Sequence, residues 1–102
     1  MSIKKQFLKT RPICKVTFRL SKEDARDAES VCLTGDFNGW DKSGAPMKRL
    51  KDGSFSLTLD FATGKDYQFR YLLDGGTWVN DPEADRYVAS GFRDSDNSVV
   101  SV

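Results

Sequence analysis

The feature that most constrains this chain is apolar alternation with a period of two. From Ile13 to Leu20, the residues Cys14, Val16, Phe18 and Leu20 fall on one side and Lys15, Thr17 and Arg19 on the other. Phe55, Leu57, Leu59 and Phe61 alternate with Ser56, Thr58 and Asp60. Tyr67, Phe69, Tyr71 and Leu73 alternate with Gln68, Arg70 and Leu72. Successive side chains of a strand point to opposite faces, so each run predicts a half-buried strand. Ser30–Gly35 and Asn97–Val102 predict two more. Asn38-Gly39, Lys51-Asp52-Gly53, Ala62-Thr63-Gly64 and Asp74-Gly75-Gly76 punctuate the runs as turns. Phe55–Asp60 and Asp66–Leu73, joined across Ala62–Lys65, read as one hairpin; Leu72–Val79 reads as a second. Ser21–Ser30 has only two alanines as apolar positions and reads as a solvated connection with at most one helical turn. Turn signals about every 8–12 residues indicate an all-β fold, either an antiparallel sandwich or a small barrel.

A length of 102 residues predicts one domain. Residues 13–102 are expected to form it, preceded by a basic N-terminal arm over 1–12. Residues 1–22 carry seven bases and no acid, whereas 74–102 carry six acids and two bases. The arm is too short, and the rest of the domain too acidic, for a nucleic-acid surface, so a solvated arm is expected. Met1–Thr10 lacks the apolar core of a secretory signal, and no stretch is long and apolar enough for a membrane span. Cys14 and Cys32 lie far apart without a CxxC and read as buried free thiols, which suits a reducing cytoplasmic setting, with a bridge between neighbouring strands as the alternative.

Composition removes most catalytic chemistry. The chain has no His, so Ser-His and Cys-His nucleophile pairs and imidazole metal ligands are absent. Asp81, Glu83 and Asp85 read as a solvated acidic loop in which nothing apolar raises a carboxyl pKa for glycoside hydrolysis. Asp94–Ser98 lacks the central Gly and later Glu of a calcium loop. The glycines do not form a phosphate loop. No metal or cofactor is expected, and no enzymatic activity.

Two segments are more specific than generic β structure. One is Leu33-Thr34-Gly35-Asp36-Phe37-Asn38-Gly39-Trp40. The other is Tyr67-Gln68-Phe69-Arg70-Tyr71-Leu72-Leu73-Asp74-Gly75, followed by Trp78 and Asn80-Asp81-Pro82; Asp96-Asn97-Ser98-Val99-Val100 completes the set. In this order and spacing, over about residues 13–102, they resemble the early-set glycogen-binding modules of carbohydrate-binding module family 48. These occur in the β subunit of AMP-activated protein kinase and at the N-termini of isoamylases and glycogen branching enzymes. The resemblance implies an immunoglobulin-like β-sandwich that holds α-1,4-linked glucan without catalysing a reaction. It implies Trp40 and Trp78 as two aromatic platforms, Arg70 where the family carries a Lys that bonds sugar hydroxyls, and Asn97 as the amide before the last strand. The Asp74–Trp78 hairpin is one residue longer than in the kinase subunit. The loop Ser90–Ser95 lacks that subunit's Leu-Gly-Thr, and Phe92 takes its place as the apolar contact.

The chemistry suits such a ligand. A pyranose has an apolar C–H face for a flat indole and a rim of hydroxyls for fixed donors and acceptors such as Arg70 and Asn97. Read without the resemblance, Trp40 stands between core and surface, Arg70 belongs to a cross-strand ion pair, and Asn97 caps a turn. The implied partner is an α-glucan, with a glycogen- or starch-metabolising enzyme as a possible companion and a monomer as the expected state. The rival reading is an interaction domain docking on such an enzyme or a kinase complex, with a vestigial sugar site.

Overall fold

The computed structural model describes residues 3–42, 44–89 and 96–102. The described strands form two antiparallel sheets. Sheet 1 runs, in spatial order, β1 (Ile3–Phe7), β2 (Ile13–Leu20), β5 (Phe55–Ala62) and β4 (Lys48–Arg49). Sheet 2 runs β3 (Val31–Gly35), β6 (Asp66–Leu73), β9 (Asp96–Ser101) and β8 (Arg86–Ala89). The short β7 (Thr77–Val79) pairs with the end of β6. Since β3 holds one flank of β6 over Phe69–Leu73, β7 lies on the other flank, end to end with β9.

The alternation decides which faces meet. Cys14, Val16, Phe18 and Leu20 of β2 lie opposite Phe61, Leu59, Leu57 and Phe55 of β5 and point at sheet 2. From sheet 2, Val31, Leu33, Phe69, Tyr71, Leu73 and Val100 point back. Phe18 sits at the centre, with Phe69 edge-on at 5.1 Å and Phe61 at 6.1 Å between ring centroids. Aromatic pairs favour this edge-to-face arrangement over a stacked one. This is the immunoglobulin-like sandwich the resemblance implies.

The first expected hairpin is not one. β5 belongs to sheet 1 and β6 to sheet 2, so Thr63–Lys65 crosses between sheets. The crossing bonds elsewhere: Thr63 N–H to the Pro12 carbonyl, Gly64 N–H to that of Val102, and Val102 N–H to that of Lys65. Two strands with apolar faces toward one core satisfy the same alternation whether they are neighbours or face each other. The second hairpin, β6–β7, forms as expected.

Ser21–Ser30 is a series of turns, capped where Ser21 Oγ accepts from Asp24 N–H at 3.1 Å. It is less solvated than expected, because Ala25 and Ala28 are buried in the core. Part of the basic segment 1–12 is β1, which pairs along its length with β2 and buries Ile3. Lys4 and Lys5 are typical of edge strands, where charge discourages pairing with other chains, and this hid the strand from the alternation.

Both sides of the sandwich are laced. Ala45–Met47 hydrogen-bonds to Val31 and Leu33 of β3, and the next two residues pair with β5 as β4, so this segment passes from one sheet to the other. On the opposite side, Lys5 Nζ meets Asp85 Oδ2 at 2.6 Å beside β8. Cys14 is buried and Cys32 half-buried on opposite sheets, both as free thiols.

Candidate functional site

The polar side chains of sheet 2 face away from the core, and register gives their order. Cys32, Leu72 and Trp78 form one row across β3, β6 and β7. Thr34 and Arg70 are directly opposite each other in the next. Gln68, Val99 and Arg86 form a third across β6, β9 and β8. Asn97, opposite Val88, reaches Arg70 from β9.

Trp78 is exposed at 36% and Trp40 is half-buried; neither belongs to the hydrophobic core or packs against it. β7 is only three residues long yet is tied at both ends. Before it, Asp74 Oδ1 accepts the N–H groups of Glu29 and Ser30 at 2.9 and 3.0 Å. After it, Asn80 Nδ2 donates to the Asp96 carbonyl at 2.9 Å and Asn80 Oδ1 accepts from Ser98 Oγ at 2.8 Å. The segment carrying Trp78 is thereby fixed to the strand carrying Asn97.

Asp81 completes that anchor and corrects an expectation. It is fully buried rather than part of a solvated acidic loop. Tyr71 Oη donates to its Oδ2 at 2.6 Å, Glu83 N–H to its Oδ1 at 2.8 Å, and Tyr87 Oη to its carbonyl. Its own N–H donates to Ser98 Oγ at 2.9 Å. Burial and the neighbouring carboxylate push the Tyr71 hydroxyl well above the ordinary tyrosine value, so it stays a donor. A tyrosine buried in the core, ten residues away in sequence, supplies what local polarity could not reveal. Asp85 does keep a rim position: burial pushes its carboxyl up, but Lys5 and the Ser101 N–H outweigh this and hold it below the usual value.

Trp40 is placed by the turn before it. Asn38 Oδ1 accepts from Gly35 N–H at 3.0 Å, Asn38 Nδ2 donates to the Leu33 carbonyl at 3.1 Å, and Trp40 N–H donates to the Gly35 carbonyl at 2.9 Å. A Cβ on Gly35 would lie 2.3 Å from the Gln68 carbonyl oxygen and 2.5 Å from the Phe37 ring, so only glycine fits. Gly39 and Trp40 then have φ of 68° and 58°, both left-handed. The backbone anchors of Trp40 and Trp78 lie on opposite flanks of β6, at the levels of Phe69 and Leu72. Three residues of strand separate those levels, about 10 Å. Arg70 stands between them.

Arg70 is half-buried and makes no ion pair among the described residues. Its Nε donates to Asn97 Oδ1 at 2.8 Å, and Asn97 Nδ2 donates to Gln68 Oε1 at 3.0 Å. Asn97 is buried at 8% exposure. It braces Arg70 through its Oδ1. Gln68 was not singled out from the sequence. Neither were Leu72 and Val99, each 1% exposed although on the face away from the core. The doublets Leu72-Leu73 and Val99-Val100 were the available signal, since neighbouring residues of a strand cannot both face one core. Phe92 and the loop around it lie outside the described residues.

The arrangement presents an exposed indole, an apolar floor and a braced guanidinium, with no carboxylate pair in these rows. A more enclosed cleft of about 490 Å³ lies at the end of the sandwich, lined by charged residues including Arg19, Lys22, Glu23 and Asp52.

Comparison with known proteins gives the surface a context. Residues 21–102 match the family described as the glycogen recognition site of AMP-activated protein kinase. The chain is 35% identical over 68 residues to "Protein PTST homolog 2, chloroplastic" of Arabidopsis thaliana, covering 67% of this chain and 12% of that protein. It is 41% identical over 64 residues to a 1,4-alpha-glucan branching enzyme of Rhodopirellula baltica, covering 59% of this chain and 9% of the enzyme. A branching enzyme of Photobacterium profundum is 38% identical over 53 residues, 51% of this chain and 7% of the enzyme. The chain thus spans about a tenth of the length of these relatives. With the family match extending over residues 21–102, the protein belongs to the family of carbohydrate-binding modules represented by the glycogen recognition site of AMP-activated protein kinase.

Proposed function

We propose that the chain binds α-1,4-linked glucan, without catalysing a reaction, on the outer face of sheet 2. The observation that carries this reading is Trp78. It is an exposed indole anchored at both ends of its strand and seated beside a braced Arg70. Trp78 stacks on one sugar and Trp40 on another of the curved chain. Arg70 donates to the hydroxyls between them, and Asn97 and Gln68 hold its plane. A shallow surface of this kind gives modest affinity, with Kd between mM and μM, roughly −4 to −8 kcal/mol.

Titration with maltoheptaose or β-cyclodextrin, followed by tryptophan fluorescence and amide shifts, tests it. The expected result is saturable perturbation of both indoles; no change at mM ligand overturns the reading. A second reading rests on Phe7, 56% exposed on the edge strand β1. In it the domain docks through that edge onto a glycogen-metabolising enzyme. Partner capture that survives Trp40→Ala/Trp78→Ala but fails with Phe7→Ser favours it.

A further inference from the structure

Two buried polar atoms on the outer face of sheet 2 have no hydrogen-bond partner among the described residues: Thr34 Oγ1 and Arg70 Nη2. They belong to residues directly opposite each other in the β3–β6 ladder, on the same face. Thr34 is wholly buried. One of the two atoms is a charged donor and the other a hydroxyl able to accept and to donate. Buried polar groups in native proteins are rarely left unpaired, so the coincidence of two on adjacent ladder positions asks for a common partner. The other end of the guanidinium is already fixed, because Arg70 Nε is bonded to Asn97 and Asn97 to Gln68. A polar chain therefore runs Gln68–Asn97–Arg70, and Thr34 lies across the ladder from its last member.

We propose that Thr34 is a positioning residue for Arg70, the two side chains sharing one hydroxyl oxygen that accepts from Arg70 Nη2 and donates to Thr34 Oγ1. That oxygen belongs either to a water or to a hydroxyl of the bound glucan. Closing the chain at both ends fixes the guanidinium plane, and with it the N–H groups turned to the sugar. Thr34 acts through Arg70. In its role at the sugar surface this inference rests on the glucan reading; the link to Arg70 does not.

The test compares the intact chain with Thr34→Val, which keeps shape and strand preference but removes the hydroxyl, and with Thr34→Ser, which restores the oxygen. Rotation of the Arg70 guanidinium is read from its side-chain nitrogen NMR signals, assigned by their loss in Arg70→Lys. Slow rotation in the sugar-free chain that Thr34→Val abolishes and Thr34→Ser recovers identifies a water. The same pattern appearing only with maltoheptaose identifies a sugar hydroxyl. Maltoheptaose affinity is expected to fall three- to tenfold in Thr34→Val and to recover in Thr34→Ser, while the melting temperature of Thr34→Val stays level or rises. Equal Arg70 rotation in Thr34→Val and the intact chain, with and without sugar, overturns the proposal. So does a Thr34→Val chain that binds maltoheptaose as tightly as the intact chain does. Should the intact chain bind no maltoheptaose, the sugar-free spectra decide the link to Arg70, so failure of the glucan reading and failure of this one are told apart.

Discussion

The two sheets present opposite solutions on their outer faces. On sheet 1 the polar side chains satisfy one another in exposed pairs. Lys15 lies 3.8 Å from Asp60, Thr17 Oγ1 is 2.9 Å from Thr58 Oγ1, and Arg19 is 3.0 Å from Asp52. On sheet 2 two aliphatic residues are sealed under the face, one indole stands out of it, and two polar atoms are left without partners among the described residues. Groups paired with each other in this way have little left to offer a ligand. A face that holds an aromatic plane and half-used donors in fixed positions does. The contrast separates a surface that merely ends the fold from one suited to recognition.

The widest gap between the faces is expected in stability. Leu72→Ala should cost about 2–5 kcal/mol in chemical denaturation, because it empties a closed site. Lys15→Ala should cost no more than about 1 kcal/mol, as exposed ion pairs do. Equal losses would erase the contrast. Next comes binding: Trp78→Ala should weaken maltoheptaose at least tenfold, about 1.4 kcal/mol, at nearly unchanged melting temperature. Lys15→Ala should leave that titration untouched. Arg70→Ala should have a smaller effect, about 0.5–1.5 kcal/mol for a lost hydrogen bond to a neutral sugar.

Acidification should act least on the proposed sugar surface and most elsewhere. The Ser54 hydroxyl and amide hold Asp52 below the usual carboxylate value, and hydrogen bonds from Ser101 and Arg86 do so for Asp66; Asp85 is also lowered. A carboxyl depressed in the folded state contributes stability above its unfolded value, and that contribution fades as pH falls through the folded one. Melting temperature is therefore expected to drop below about pH 4. Maltoheptaose affinity should stay level from pH 5 to 9, since the sugar carries no titrating group. A steep change in affinity across that range would implicate a titrating group in the site.

Much of this was legible in the chain itself. Alternation in Ile13–Leu20, Phe55–Phe61 and Tyr67–Leu73 fixed which residues face the core. The Gly35–Trp40 segment and the Trp78 hairpin marked the proposed site. What stayed hidden depended on partners distant in sequence. Period two cannot tell a hairpin from a crossover between facing sheets, which is why β5 and β6 looked paired. Asp81 read as solvated because its partner, Tyr71, belongs to the core. The bonds of Asn97 to Arg70 and Gln68 were hidden too, because nothing local reveals partners 27 and 29 residues away.

Trp40 carries a last consequence. Its φ of 58° places a bulky aromatic in a conformation that glycine or asparagine adopts at lower cost. Trp78 sits in an extended strand, where aromatics are at ease. The two indoles therefore differ in what would keep them under selection. Libraries passed through rounds of heat challenge alone should lose Trp40 to glycine or asparagine well before Trp78 drifts. Libraries passed over immobilised glycogen should retain both. On the proposed glucan reading, Trp40 is thus the position at which the demands of folding and of recognition pull apart.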